Sequence, residues 1–200
     1  MCAGLWYVDI ENMNSSSDEF VVGGGVSHNN ALCMDTALAA EFIQQACFRM
    51  DESTRMLRTA FDELDEADLW KRPNAASNSV GNLILHLCGN IRQYAISALG
   101  GTEDLRERDA EFAARAGYDK AALLEKLLAT VDQAKETIRN ADAENLLRVR
   151  SVQGFRLSGL GIVLHVVEHY SYHTGQIAFW TKLLKDKDLG FYAGIDLTVH

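Results

Sequence analysis

The chain has 200 residues, 48% apolar and 24% charged, a balance that suits a globular protein with enough length to bury a core. A formal charge of -9 disfavours nucleic-acid backbones and anionic membranes as partners. No apolar run approaches the ~18 residues of a membrane helix.

The four cysteines (Cys2, Cys33, Cys47 and Cys88) form no CxxC pair, and the first basic residue is Arg49, so neither a zinc ribbon nor a cationic signal peptide is expected. A reduced, cytoplasmic protein is the natural expectation.

Residues 1–33 lack a sustained helical period and contain Ser15-Ser16-Ser17, Gly23-Gly24-Gly25 and Asn29-Asn30. They read as a loosely attached tail ahead of a folded domain over 34–200. Because Met34 opens the periodic region, a start codon placed too far upstream would account for the tail.

A first helix is expected from about Asp35 to Leu64, with Leu38, Phe42, Ile43, Cys47, Met50, Leu57, Phe61 and Leu64 as its apolar stripe. A connection containing Trp70 and Pro73 leads to Asn78-Ser79, an N-cap signal. The second helix, about Val80 to Leu99, is apolar on most sides and stops at Gly100-Gly101. His86 lies in its middle between Leu85 and Leu87, where an imidazole is costly without a partner.

Thr102 to Tyr118 holds Arg106-Glu107-Arg108-Asp109-Ala110-Glu111-Phe112, read either as a solvated charged loop or as a loop whose charged network frames a pocket. Asp119 caps a third helix through Leu123, Leu127, Val131 and Ile138. A short hairpin is expected around Gly154, and Ser158 caps a fourth helix ending near Lys185. Four long helices imply an all-α four-helix bundle, with up-down or crossing connections left open.

The fourth helix carries His165, His169 and His173 at four-residue intervals. Residues four apart share a helix face about 6 Å apart along the axis, so adjacent members can aim at one ion while the outer two cannot. Ile162, Val166, Ile177, Trp180 and Leu184 fall on one core seam that His169 and His173 complete, with His165 one step aside. Two stacked core imidazoles are expensive unless a shared metal uses their ring nitrogens.

His86 is the only other histidine in an expected helix, since His28 and His200 lie near the ends. The candidate metal ligands are therefore His86, His169 and His173, with His165 the chief rival. HExxH, paired ExxH and GxSxG are all absent.

Two segments, Asn78-Ser79-Val80-Gly81-Asn82-Leu83-Ile84-Leu85-His86-Leu87 and Glu168-His169-Tyr170-Ser171-Tyr172-His173-Thr174-Gly175-Gln176-Ile177, resemble the signature helices of the DinB/YfiT-like superfamily. Gly89-Asn90-Ile91-Arg92-Gln93 and Arg106 to Phe112 resemble a branch described mainly as of unknown function.

The resemblance spans about Asp35 to Leu189 and implies a four-helix bundle, often a homodimer. It also implies a divalent metal on one histidine of the second helix and two of the fourth, matching His86, His169 and His173. Relatives that use low-molecular-weight thiols, and others named metal-dependent hydrolases, make a thiol S-transferase or hydrolase acting on a small molecule the expected class. A non-catalytic metal-binding or stress-response bundle is the alternative.

Zinc or nickel stand ahead of iron or manganese as the ion, since imidazole suits several of these metals. Gln176, one turn beyond His173, is a candidate for orienting a ligand. His165, Glu168, Tyr172 and Asp109 are further candidates for contacts around the ion or the substrate.

Overall fold

A computed structural model describes residues 28–199, with side chains from Thr36 onward. Helix α1 spans His28–Asp62, α2 Val80–Ile91, α3 Arg108–Ala113, α4 Lys120–Arg139, α5 Ala143–Leu147 and α6 Gly159–Lys185. Strands β1 (Val149–Val152) and β2 (Phe155–Ser158) form an antiparallel hairpin between α5 and α6, pairing Val149 with Ser158 and Val152 with Phe155. No described helix is long and apolar enough to cross a membrane.

Helix α1 starts seven residues before the expected Asp35. The last glycine before it is Gly25, and nothing between Asn29 and Asp35 breaks a helix. The expected tail boundary at 33 therefore falls within helical backbone, and the rest of that segment, 1–27, lies outside the described residues.

The second long helix also departs from expectation. It is α-helical only to Ile91 and widens into a π-helix over Arg92–Leu99. Such turns are rare and often sit beside functional sites. This one closes where the Gly100 and Gly101 amides bond the Ala95 and Ser97 carbonyls.

The four long helices form an all-α bundle. Helix α1 packs along α6, α6 along α2, α2 along α4, and α4 returns to α1. Helices successive in sequence, α1 with α2 and α4 with α6, thus stand diagonally, and the segments 63–79 and 140–158 cross the bundle ends.

Met50, Leu57 and Phe61 of α1, Ile84, Leu87 and Ile91 of α2, Leu123, Leu127 and Ile138 of α4, and Ile162, Val166 and Ile177 of α6 fill the centre. Burying each such side chain contributes about 1.5–3 kcal/mol. Polar ties fix the register: Thr54 of α1 and Tyr170 of α6 share a 3.0 Å hydroxyl contact. At the end of α6, Lys185 bonds Asp65 and lies 2.6 Å from buried Asp68. The Lys185 and Lys71 ammonium groups hold the Asp68 carboxyl well below its usual range.

Asn82 is the joint between helix and loop. Ser79 caps α2, and its hydroxyl donates to Asn82 Oδ1 at 2.8 Å while accepting from the Asn82 amide. The same Oδ1 accepts from Arg72, and Asn82 Nδ2 donates to the Glu111 and Ala114 carbonyls at 2.9 Å. Arg72 also donates to the Phe112 carbonyl. The segment around α3, only six residues of helix, is thereby strapped across α2.

Asn82 is fully buried, so Asn82→Ala strands several partners at once. It is expected to lower unfolding stability by about 1–3 kcal/mol, read as a reduced urea midpoint with an unchanged slope.

Candidate metal centre

Helix α2 is buried almost all round, and His86 is 7% exposed within it. On α6, the buried face runs through Ile162, Val166, Tyr170, His173, Thr174 and Ile177, with His169 half-buried beside it. The two helices pack against each other, and His86 Nε2 comes within 3.2 Å of His169 Nε2. His173 Nε2 lies 3.2 Å from the same atom. One ligand atom from each of the three rings falls within 4.8 Å of the others. Two imidazoles on one tetrahedral zinc, at about 2.0–2.1 Å each, stand about 3.3 Å apart. Two edges of the triangle already have that length, and the third needs only side-chain adjustment.

Protons cannot satisfy this meeting point. His86 Nδ1 lies 3.0 Å from Glu111 Oε2, which accepts, and 3.1 Å from Arg106 Nη2, which donates, so these contacts admit either tautomer, while an ion on Nε2 would put the proton on Nδ1, toward Glu111. Gln176 Oε1 accepts from His173 Nδ1 at 2.7 Å, which puts that ring's proton outward. With the His173 proton outward, either tautomer of His86 leaves at most one well-placed proton for the two Nε2–Nε2 contacts at His169.

Further protonation is disfavoured. Burial, reinforced by the neighbouring imidazoles, drives His169 far below the ordinary imidazole value. Burial, then the field of His86, lowers His173 to about 4 despite the opposing Gln176 bond. A cation taking all three lone pairs removes the conflict. It would leave the His169 proton on Nδ1, which is buried without a partner among the described residues.

Glu111 is held from the other side. Arg106, with 2% of its side chain exposed, grips it in a fork: Nε donates to Oε1 at 2.7 Å and Nη2 to Oε2 at 2.8 Å. Arg106 Nη1 also donates to Gln93, the second residue of the π-helix. Burial alone would raise the Glu111 carboxyl, but the Arg106 and His86 hydrogen bonds prevail and hold it below its ordinary value.

Room for the carboxylate comes from Gly89, one turn after His86, where a Cβ would lie 1.8 Å from Glu111 Oε1. Glycine inside a helix costs about 1 kcal/mol relative to alanine, so this gap is a feature the fold sustains. The Phe112 ring covers His86 at 4.8 Å and in turn lies 4.9 Å from the Arg108 guanidinium.

The structure thus brings together His86, His169, His173 and Gln176, and places His165 beside them rather than among them. His165 stacks between Tyr94 at 4.0 Å and His169 at 5.3 Å, with Nε2 3.3 Å from Asn90 Nδ2. Burial, aided by the Arg106 charge, lowers it to about 4.

Tyr172 meets the His173 ring edge-on at 4.9 Å yet is 60% exposed. Glu168 faces solvent. Asp109 corrects the loop expectation: it is exposed on the outer side of α3, while Glu111, two residues on, turns inward because the Glu111 carbonyl is held by Asn82 and its carboxylate by Arg106. Of the two readings of the charged loop, the network that frames a pocket is the one the structure bears out, through Arg106 and Glu111, which sequence reasoning had not singled out; it missed Asn90, and Gly89, a glycine on the His86 face of a buried helix, was the available signal. A surface hollow of about 420 Å³ lies away from the histidines, lined by Ile43, Cys47, Phe48, Asp51 and Arg139.

A profile of the family described as "Protein of unknown function (DUF1572)" matches residues 37–193. The chain belongs to that family. Among solved structures it is similar to YjoA, a DinB-like protein from Bacillus subtilis, with TM-score 0.58 and 16% identity over 74% of this chain and 96% of that one. It is also similar to a conserved protein from Enterococcus faecalis, with TM-score 0.54 and 20% identity over 76% and 98% of the two chains. These likenesses establish the fold, which is the DinB-like bundle that the sequence resemblance implies. No functionally curated protein matches the sequence.

The depressed imidazoles set an acid limit on the metal-free protein. Unfolded histidines take up protons near 6.5, whereas His165 and His173 resist until about 4 when folded. Their stabilising effect is therefore complete above 6.5 and lost as pH falls toward 4. Calorimetry of the apo-protein is expected to show the melting temperature falling through that window, and more gently in a His165→Asn variant.

Proposed function

We propose that this DUF1572 member is a metal-dependent enzyme in which His86, His169 and His173 hold a divalent ion, zinc or nickel ahead of iron or manganese, and a small thiol or water attacks a small electrophile. The observation that carries the proposal is the convergence of one nitrogen from each of three imidazoles, two buried and one half-buried, within 4.8 Å, with the Nε2 atoms of His86 and His173 both turned toward His169 Nε2. Held by neutral ligands, a divalent ion keeps its full charge and supplies Lewis acidity that brings a coordinated thiol or water toward deprotonation near neutral pH.

The chain's own residues orient and shield. Gln176 fixes the His173 ring and Glu111 the His86 ring. His165, kept neutral by burial, adds an uncharged polar flank beside His169. Tyr172, exposed next to His173, offers an aromatic face on the solvent side where a small apolar group would rest. Thiol transfer and hydrolysis differ in whether the attacking atom is sulfur or oxygen, and both are served by this arrangement.

A non-catalytic metal-binding bundle is favoured by one observation: His86 and His173 are only 7% and 9% exposed, depths that suit a closed site. Elemental analysis is expected to find one divalent ion per chain, lost in His86→Ala and His169→Ala. Conjugation and hydrolysis assays with several low-molecular-weight thiols and electrophiles are expected to show turnover that disappears with the metal. Retained metal with no turnover across the panel selects the binding bundle, and absence of metal from the wild-type protein rejects both readings.

The homodimer implied by the family resemblance belongs to the same proposal. Leu164, Tyr172, Phe179 and Leu183 are 58–69% exposed along one side of α6, successive members being one or two helical turns apart, a seam suited to a second copy of the helix. Sedimentation is expected to give a dimer that Phe179→Glu converts to monomer without loss of helicity.

A further inference from the structure

The three imidazoles differ in what stands behind them. His86 Nδ1 meets an anion, Glu111, at 3.0 Å, and the Arg106 guanidinium that grips this anion lies 3.1 Å from the same nitrogen. His173 Nδ1 meets a neutral amide oxygen, Gln176 Oε1, at 2.7 Å. His169 Nδ1 is buried with no partner among the described residues. An acceptor behind a metal-bound imidazole fixes its tautomer and raises its basicity, and a charged acceptor does so more strongly than a neutral one. We infer that Glu111 is the positioning residue for His86, held in place by Arg106, and that the three ligands form a graded set in which His86 binds most firmly and His169 least. This rests on the three-histidine reading and deepens it.

Three features separate this from an ordinary buried ion pair. The Arg106 fork is complete on its own, engaging both carboxylate oxygens, so the ion pair does not require an imidazole. Oε2 nevertheless has capacity left over and directs it to His86 Nδ1, the two side chains being 9% and 8% exposed. The helix that carries His86 also omits a side chain at Gly89, where a Cβ would fall 1.8 Å from Oε1 and 2.9 Å from Arg106 Nε. The carboxylate is thus accommodated on the His86 side of α2 at a position set by the helix itself. Because Arg106 and Glu111 lie on the segment between the π-helix and α4, that segment belongs to the metal centre rather than to its surroundings.

The test uses the full chain, stripped of metal and titrated with zinc and with cobalt(II). Glu111→Gln keeps the shape and a neutral acceptor but removes the charge; it is expected to weaken binding about 10–100-fold and to shift the cobalt visible spectrum. Gln176→Leu, which removes only a neutral acceptor, is expected to cost less, up to about 10-fold. Gly89→Ala displaces the carboxylate without changing charge and is expected to resemble Glu111→Gln.

Circular dichroism confirms folding of each variant. Independently of any variant's stability, ¹H–¹⁵N spectra of the metal-free wild-type protein are expected to show the His86 proton on Nδ1. An Nε2-protonated His86, or Glu111→Gln binding as tightly as wild type with an unchanged cobalt spectrum, overturns the inference. Failure of the wild-type chain to bind either metal instead overturns the three-histidine reading beneath it.

Discussion

Everything at the centre of this bundle depends on an electrostatic problem created by burial. Three imidazoles brought within 4.8 Å in a desolvated space cannot all be charged, because like charges repel and burial penalises each. They cannot all be satisfied as neutral rings either, because two Nε2–Nε2 contacts meet at His169 while the His173 proton points outward to Gln176. A protein core normally fills such a position with hydrocarbon. A cation bound to these histidines would relieve the conflict, and its binding energy would then become part of the stability of the fold.

The scaffold answers that problem in layers. Diagonal placement of successive helices puts α2 against α6, so that a histidine near the middle of one meets the pair on the other. Bending of the α2 continuation into a π-helix brings Gln93 and Tyr94 round to the same end, where Gln93 accepts from Arg106 and Tyr94 stacks on His165. Asn82 and Arg72 then strap the α3 segment down through three backbone carbonyls. Each element that shapes the site also closes part of the core, so site geometry and fold stability are not separable quantities here.

How much of this could be read from the sequence follows the range of the forces involved. The α6 seam was legible because helical periodicity is local: with Ile162, Val166 and Ile177 fully buried, His169 and His173 had to face inward. His86 was legible by the same logic, as a polar ring inside an otherwise apolar helix. Ser79, Asp119 and Ser158 were legible as caps, since each accepts from a backbone amide three residues ahead.

The inward turn of Glu111 was not legible. It depends on Arg106, Asn82 and His86, contacts that bridge up to 29 residues of chain and leave no periodic trace. Asp109 is equally acidic and only two residues away, so composition favoured neither. Nothing local signalled the π-helix either, because the sequence of Arg92–Leu99 remains helical in pattern and only the hydrogen-bond register changes.

The charge inventory around the triad bears on what chemistry it can support. A ligand set of neutral imidazoles leaves a divalent ion strongly electrophilic, whereas carboxylate ligands would quench part of its charge directly. Here the Glu111 carboxylate stands behind His86 rather than at the meeting point of the rings, and is itself neutralised by the Arg106 fork. Arg106 therefore has two consequences: it holds Glu111 in reach of His86, and it keeps the Glu111 charge from adding in full to the site. Replacing that arginine with a neutral residue would leave an uncompensated carboxylate behind His86, making the imidazole a stronger donor and the ion a weaker acid. For any ion held by these histidines, affinity and electrophilicity would thus be set against each other through one guanidinium, which grips Glu111 and lies 3.1 Å from His86 Nδ1.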